Sequence, residues 1–189
     1  MPWPQGLGLW DAYMTDDETG VVQFPYVRKR GRIALIGLSS AVPKPLFIAS
    51  GTLGIDQIAR AEDILTALGR DGFCRIVLIH HSPLHDQAGW RKRLTDARSF
   101  TKALARAGAE LVLHGHIHEF DRRALARVND PDIPVLSVPS ASANGVRKSP
   151  AHYHLFHIEP NGAGWRIVVE PRGYDPASQT IVARNRYAL

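Results

Sequence analysis

Two apolar runs that each end abruptly in histidine constrain this sequence more than any other feature. The first is Arg75-Ile-Val-Leu-Ile-His-His-Ser-Pro-Leu84, and the second is Glu110-Leu-Val-Leu-His-Gly-His-Ile-His118. Short runs of this kind are typical of buried strands, and Pro83 cannot continue a strand interior. Because open α/β sheets bind ligands beyond the carboxyl ends of their strands, the two runs predict histidines that meet at one edge of a central sheet.

The histidines at these strand ends are candidate metal ligands. In extended backbone His116 and His118 would point to the same side, and Gly115 would let the chain leave the strand in a conformation that a side chain forbids. An isolated His-x-His pair is more typical of a solvated turn, but the doublet His80-His81 on another strand makes the joint pattern more specific. Neutral imidazoles in such a cluster suit zinc, manganese or iron.

A strand that ends in His-His-x-Pro, followed by one that ends in Gly-His-x-His, resembles the calcineurin-like metallophosphoesterases. The resemblance runs from about Phe24 onward and rests on the last two of that family's five motifs. Its Asp-x-His, Gly-Asp-x-x-Asp and Gly-Asn-His motifs do not occur in the 189 residues. The resemblance implies an α/β (α+β) fold, a two-sheet β-sandwich flanked by helices with its N-terminal strands missing. Residues 21–189 would form this partial domain, and residues 1–20 an irregular lead-in.

The resemblance also implies hydrolysis of a phosphomonoester or phosphodiester, a small phosphate-ester substrate, through two metal ions (Mn, Fe or Zn). His80 and His116 would bind one ion and His118 the other. His81 competes with His80, since the doublet leaves the register ambiguous, and His114 would play a supporting role.

The missing motifs affect the expected activity. They would supply a bridging Asp, an Asn and the His that assists the leaving group, so no catalytic residue can be assigned. Three neutral imidazoles offer no negative charge to offset two dications about 4 Å apart. We therefore expect at most one metal ion and impaired activity.

The hydrophobic spacing predicts two helices and a set of strands. One helix carries Ile55 to Leu68 and ends near Gly69, and a second is capped by Thr95 or Asp96 and ends at Gly108. Strands are expected at 21–28 and 32–38. Residues 122–128, 133–138, 153–158, 165–170 and 180–186 are expected to form an antiparallel second sheet.

The charged residues, the single cysteine and the lengths of the apolar runs indicate which partners and which compartment to expect. Arg91 and Arg93, in a loop after His80, are candidate contacts for a substrate phosphate. The formal net charge of +5 comes from basic residues scattered among acids, so nucleic-acid binding is not expected. The single cysteine, Cys74, reads as a core residue of a reducing compartment. With no run of 18 apolar residues and no signal peptide, a cytoplasmic protein without a membrane partner is expected.

Two alternatives stay open. One is a non-catalytic remnant or binding module that retains part of the fold. The other is a different zinc hydrolase, because the segment from His114 to Asp121 is similar to the His-x-His-x-Asp-His pattern of metallo-β-lactamase folds. Phe120 stands where that pattern has Asp.

Overall fold

The computed structural model describes residues 11–43, 45–85, 89–143 and 149–189. Three helices lie in this part of the chain: α1 (Asp11–Met14), α2 (Ile55–Arg70) and α3 (Ala97–Ala107). The strands are β1 (Tyr26–Arg30), β2 (Ile33–Gly37), β3 (Cys74–Ile79), β4 (Leu111–His114), β5 (Asp121–Leu125), β6 (Ile133–Ser137), β7 (His152–Asn161), β8 (Gly164–Asp175), β9 (Thr180–Ala183) and β10 (Tyr187–Ala188).

The strands form two sheets. The larger has six strands in the order β1-β2-β3-β4-β6-β5, and its four central strands run parallel. Strands β1 and β5 pair antiparallel at its edges. The smaller sheet, in the order β10-β8-β7 with β9 also on β8, is antiparallel throughout. The chain is therefore α+β with two sheets, which confirms the predicted mixed class.

The larger sheet separates two hydrophobic cores. On one face the buried residues of α2 and α3 pack against the strands, with Phe100 and Leu65 among the largest fully buried side chains. On the other face Ile76, Leu111 and Leu136 pack against Ile167 and its neighbours in the smaller sheet. Alternate residues of each strand thus serve opposite cores, as the period of two requires.

The prediction for the second sheet was wrong for two of its strands. Residues 121–125 and 133–137 belong to the larger sheet, where β6 runs parallel to β4. Strand β6 is buried on both faces, which is typical of an interior parallel strand. Its short apolar run carries no signal of strand direction, and that is why the sequence placed it in the antiparallel sheet.

The two predicted helices are confirmed, with α2 ending at Arg70 and α3 followed by Gly108. Asp96 precedes α3, but its carboxylate accepts hydrogen bonds from Leu53 N (3.0 Å) and Gly54 N (2.8 Å), at the start of α2. The carboxylate therefore ties the beginnings of both helices together.

Arg75 links four elements beneath the helices. Its guanidinium donates to both Glu110 oxygens, at 2.7 and 3.0 Å, and to the carbonyls of Leu65 and Ala107. The Arg75 side chain is 11% exposed and that of Glu110 is 23% exposed. A buried charge needs such partners to be tolerated, so this pair fixes β3 and the residue before β4 against the ends of α2 and α3.

Residues 11–20 contact the larger sheet through Asp16, whose carboxylate accepts hydrogen bonds from Val27 N (2.8 Å) and Glu18 N (2.9 Å). Residues 1–10, the first half of the expected lead-in, lie outside the described residues. Among the helices that the structure describes, none combines the length and apolar character needed to cross a membrane.

Candidate metal centre

Parallel strands bring the histidines together. Strands β2, β3 and β4 are neighbours with the same direction, so the residues that follow them reach the same edge of the sheet. These are Ser40, the doublet His80-His81, and His116. A hydrogen bond from Gly115 N to the His80 carbonyl (3.0 Å) continues the β3–β4 pairing past the ends of the strands. The edge predicted from the sequence therefore exists.

His80 and His116 make the closest contact of the cluster. The Nε2 atom of His80 lies 3.0 Å from Nδ1 of His116, so one of the two nitrogens carries the hydrogen and the other accepts it. Two nitrogens that bind a single ion at about 2.0–2.1 Å lie about 2.9–3.4 Å apart. The observed spacing is compatible with a shared ion in place of the hydrogen bond.

His81 is part of the cluster, but both nitrogens of its ring are hydrogen-bonded to other protein atoms. The ligand atoms of His80, His81 and His116 all lie within 4.8 Å of one another. However, His81 Nε2 donates to the Ala49 carbonyl (2.9 Å), and Nδ1 lies 2.8 Å from Ser40 Oγ. With Nε2 protonated, Nδ1 of the neutral ring accepts from the Ser40 hydroxyl. Both nitrogens are therefore occupied, and this favours His80 over its neighbour as the ligand.

His118 lies apart from the other three. It is exposed and is outside the group whose ligand atoms lie within 4.8 Å, although its charge lowers the pKa of both His80 and His116. His116 and His118 have φ values of 68° and 57°, so the segment is not extended and the same-side argument does not apply.

The expected role of Gly115 was also wrong. The left-handed conformation is adopted by His116 and His118, whereas Gly115 does not have a positive φ. A Cβ at Gly115 would lie 3.9 Å from His80 Nδ1, an ordinary contact. Left-handed backbone at bulky residues persists only where the surroundings impose it, and it concentrates at functional sites.

The electrostatics keep the cluster neutral at pH 7. Desolvation, together with the smaller effects of the charges of His81, His80, Lys92 and His118, lowers the pKa of His116 to about 4. Packing against the neighbouring rings likewise lowers the pKa of His80, mainly through desolvation. Burial also lowers the pKa of His81. Neutral imidazole is the form that binds transition metals.

Among the basic residues of the loop after β3, Lys92 is the one whose charge affects the cluster. It lowers the pKa of His116. The Arg91 guanidinium lies 5.0 Å from the Trp90 ring centroid, and Arg93 Nη1 lies 3.4 Å from Nε2 of His85. The role of Arg91 and Arg93 as substrate contacts stays a prediction. Lys92, which lies between them, is a residue that the sequence reasoning did not single out.

The donor set fits one transition metal better than two. Within the described residues, the cluster contains three imidazoles and no carboxylate. His114 is buried, with Nδ1 3.2 Å from the Gly115 carbonyl oxygen, and Nε2 has no hydrogen-bond partner in the described part of the chain. It lines an inter-sheet cavity of about 200 Å³ together with His154. The supporting role of His114 stays a prediction.

The loop after β2 supplies the other residues that the sequence did not reveal. Ser40 and Ala49 hold the two nitrogens of His81, and Gly51 packs against its ring. A Cβ at Gly51 would lie 2.6 Å from His81 Cε1, closer than such atoms approach. In the sequence, only the small size of Ser40 and Gly51 indicates that another side chain packs against them. That the side chain is His81 can be recognised only once the strand order is known.

Comparisons with known proteins leave the family open. No family model matches the sequence, and no curated protein is significantly similar to it. Among solved structures, the chain is similar to GAP50, the anchor in the inner membrane complex of Plasmodium. The match has 13% identity and a TM-score of 0.43, and it covers 86% of this chain and 52% of that one. The chain thus spans about half the length of that protein, and a likeness of this degree does not bear on activity.

Proposed function

We propose that this chain is a metal-dependent phosphoesterase of the calcineurin-like type, with a site that binds one transition-metal ion. The contact between His80 and His116 at neighbouring strand ends is the observation that carries the proposal. The substrate would be a small phosphomonoester or phosphodiester, and the metal Mn, Fe or Zn. Location in the cytoplasm stays a prediction.

Each residue of the cluster has a separate task. His80 and His116 would hold the ion through Nε2 and Nδ1. His81 would position the end of β3 through Ser40 and Ala49. Lys92 is the cation whose charge affects His116, and it would attract an anionic phosphate group. His118 would serve as a further ligand or substrate contact at the exposed rim.

A bound ion would supply Lewis acidity to a phosphoryl oxygen and acidity to a bound water. The protein's contribution is to keep the imidazoles unprotonated, and the lowered pKa values achieve this. Without a carboxylate in the described cluster, no side chain there can offset a second dication about 4 Å away. This favours a slow enzyme over an efficient dinuclear one.

The alternative function is a metal-binding module without hydrolysis. The absence of a carboxylate from the described cluster favours this alternative over a dinuclear hydrolase. The two proposals share the metal and differ in turnover, so a single experiment separates them.

The decisive experiment measures both Mn²⁺ binding by the purified chain and its hydrolysis of bis(4-nitrophenyl) phosphate with Mn²⁺ added. We expect slow turnover that is abolished in His80→Ala and His116→Ala and retained in His157→Ala, the control on β7. Metal binding without turnover in the wild type would reject the phosphoesterase and support the binding module. Turnover that persists in His116→Ala would reject the site itself.

A further inference from the structure

A second cluster of imidazoles lies at the other sheet. His152 and His154 occupy alternate positions of β7, so they share one face, and their rings stack with centroids 5.3 Å apart. Their neighbours on β8 are Gly173 and Pro171. Neither neighbour carries a side chain that can hydrogen-bond to an imidazole.

Three side-chain atoms at this place have unmet hydrogen-bonding capacity. His152 Nε2, His154 Nε2 and Tyr187 Oη are buried and have no hydrogen-bond partner within the described residues. The three side chains line one cavity of about 510 Å³. Buried polar atoms are almost always satisfied by protein, water or a ligand, and this volume is that of a small-molecule site.

Charge indicates which kind of ligand the cavity would accept. Arg184 lines the cavity, and none of its described lining residues is a carboxylate. The Arg184 side chain lies across Gly173, where a Cβ would come within 3.1 Å of its Cζ. A second guanidinium, that of Arg122, lies 4.6 Å from the centroid of the Tyr187 ring. The nearby cations oppose a metal ion and favour an anion.

The protonation states agree with an anionic ligand. Burial lowers the pKa of His154 to about 4, and burial together with the Arg184 charge lowers that of His152. At pH 7 each neutral ring carries one N–H, and the Tyr187 hydroxyl and the Asn185 amide can donate as well. Hydrogen bonds from Ser178 and Ala177 lower the pKa of Asp175, and the charge of Arg184 contributes to this shift.

Apart from Ser149, the remaining lining residues of the cavity are apolar. The Phe120 ring lies 5.7 Å from the His152 ring and 5.6 Å from the His154 ring, and it is 46% exposed. Pro150 and Pro171 complete this side of the cavity. Stacked imidazoles beside an exposed phenyl ring would contact a planar group.

We propose that this cavity binds an organic anion of the aryl phosphate or phosphonate type, independently of any metal at His80 and His116. The anionic end would meet His152, His154, Tyr187 and Arg184, and the planar part would pack on Phe120. The proposal does not rest on the phosphoesterase function, because no residue is shared between the two sites.

Phenylphosphonate is a suitable probe, since its carbon–phosphorus bond resists hydrolysis. Calorimetric titration of the chain in EDTA at pH 7 should show one binding event. We expect the Kd to rise at least tenfold in Tyr187→Phe, which keeps the ring and removes the hydroxyl, and in His154→Phe, which replaces the imidazole by another aromatic ring without N–H groups. His157→Phe, on the opposite face of β7, and His116→Ala should leave the Kd unchanged. Methylphosphonate should bind more weakly, because it lacks the planar group.

Several results would overturn the proposal. These are the absence of binding, equal affinity for methylphosphonate, and a Kd that changes in His116→Ala but not in Tyr187→Phe. Zinc binding by the EDTA-treated and dialysed chain that is lost in His154→Phe would show a cation site instead. If His154→Phe does not fold, imidazole NMR shifts of the wild type decide: His152 and His154 signals that move on titration support the site, and signals that stay fixed reject it.

Discussion

His80 and His116 are 36 positions apart in the sequence, but His80 Nε2 and His116 Nδ1 lie 3.0 Å apart. The parallel pairing of β3 and β4 creates this proximity, because it aligns Ile79 with His114 and leaves both chains to turn at the same edge. A shared ion would take the place of this hydrogen bond between two neutral rings. Loss of either ring should therefore be detectable by measuring metal binding, without an activity assay.

Removal of either ring should abolish tight metal binding. We expect His80→Ala and His116→Ala to raise the Kd for Co²⁺ by more than about 100-fold, since substitution of supporting residues alone costs about 10- to 100-fold. Absorption of bound Co²⁺ measures this directly. His157→Ala, on the smaller sheet, should bind as the wild type does, and equal loss in this control would show that the effect is global.

Gly51→Ala should weaken metal binding without altering a ligand. The added methyl would meet the His81 ring and the Ser40 carbonyl, 2.7 Å away, so the ring must shift and with it the end of β3. We expect a rise of about 10- to 100-fold in the Kd for Co²⁺. Gly89→Ala is the matched control, because a Cβ there meets nothing within 4 Å. Unchanged affinity in Gly51→Ala would show that His81 does not position His80.

Arg75→Met should destabilise the fold strongly. It leaves Glu110 as a largely buried charge without its partner, a loss of about 3–5 kcal/mol in the free energy of unfolding. Urea denaturation measures this change. The double variant Arg75→Met/Glu110→Leu should recover part of the loss, and Arg106→Met, which breaks an exposed pair with Glu62, should have a much smaller effect. A double variant less stable than Arg75→Met would contradict this account.

Acid should destabilise the protein through His154. Its pKa is about 4 in the folded chain, compared with 6.5 for the unperturbed group. Between these values the unfolded chain binds more protons, so the contribution of His154 to the free energy of unfolding falls as the pH decreases from about 7 to 4 and is constant above about pH 7. His152, Phe120 and Tyr187 surround the ring. His154→Phe should show a shallower pH dependence in urea denaturation, and an identical slope would refute the assignment.

The sequence predicted the parts of the site that follow from short-range patterns. The two apolar runs became β3 and β4, with His80 and His116 at one edge, and the helices ending near Gly69 and Gly108 formed as expected. The left-handed backbone of His116 and His118 was not predictable, because tertiary contacts impose it against the preference of the residues. The hydrogen bonds of the His81 ring were not predictable either, since its partners Ser40 and Ala49 come from a loop about 30 to 40 residues earlier.

The second imidazole cluster, His152 and His154, could not be predicted from the sequence either. His152, His154 and His157 lie close together in the sequence, but the three do not share one face of a strand. The structure places the first two together and directs His157 to the opposite side, where it meets Glu170. The pair becomes notable only with Gly173 and Pro171 beside it, and sequence periodicity does not reveal strand register.

The double attachment of the His81 ring has a mechanical consequence. Ser40 and Ala49 belong to one loop, and the ring that they grip is covalently joined to His80. A displacement of that loop would therefore move the His81 ring, and with it the adjacent His80 imidazole. Substitutions that shift this loop are therefore expected to change how strongly His80 and His116 hold an added metal ion, although the loop residues themselves are not ligands.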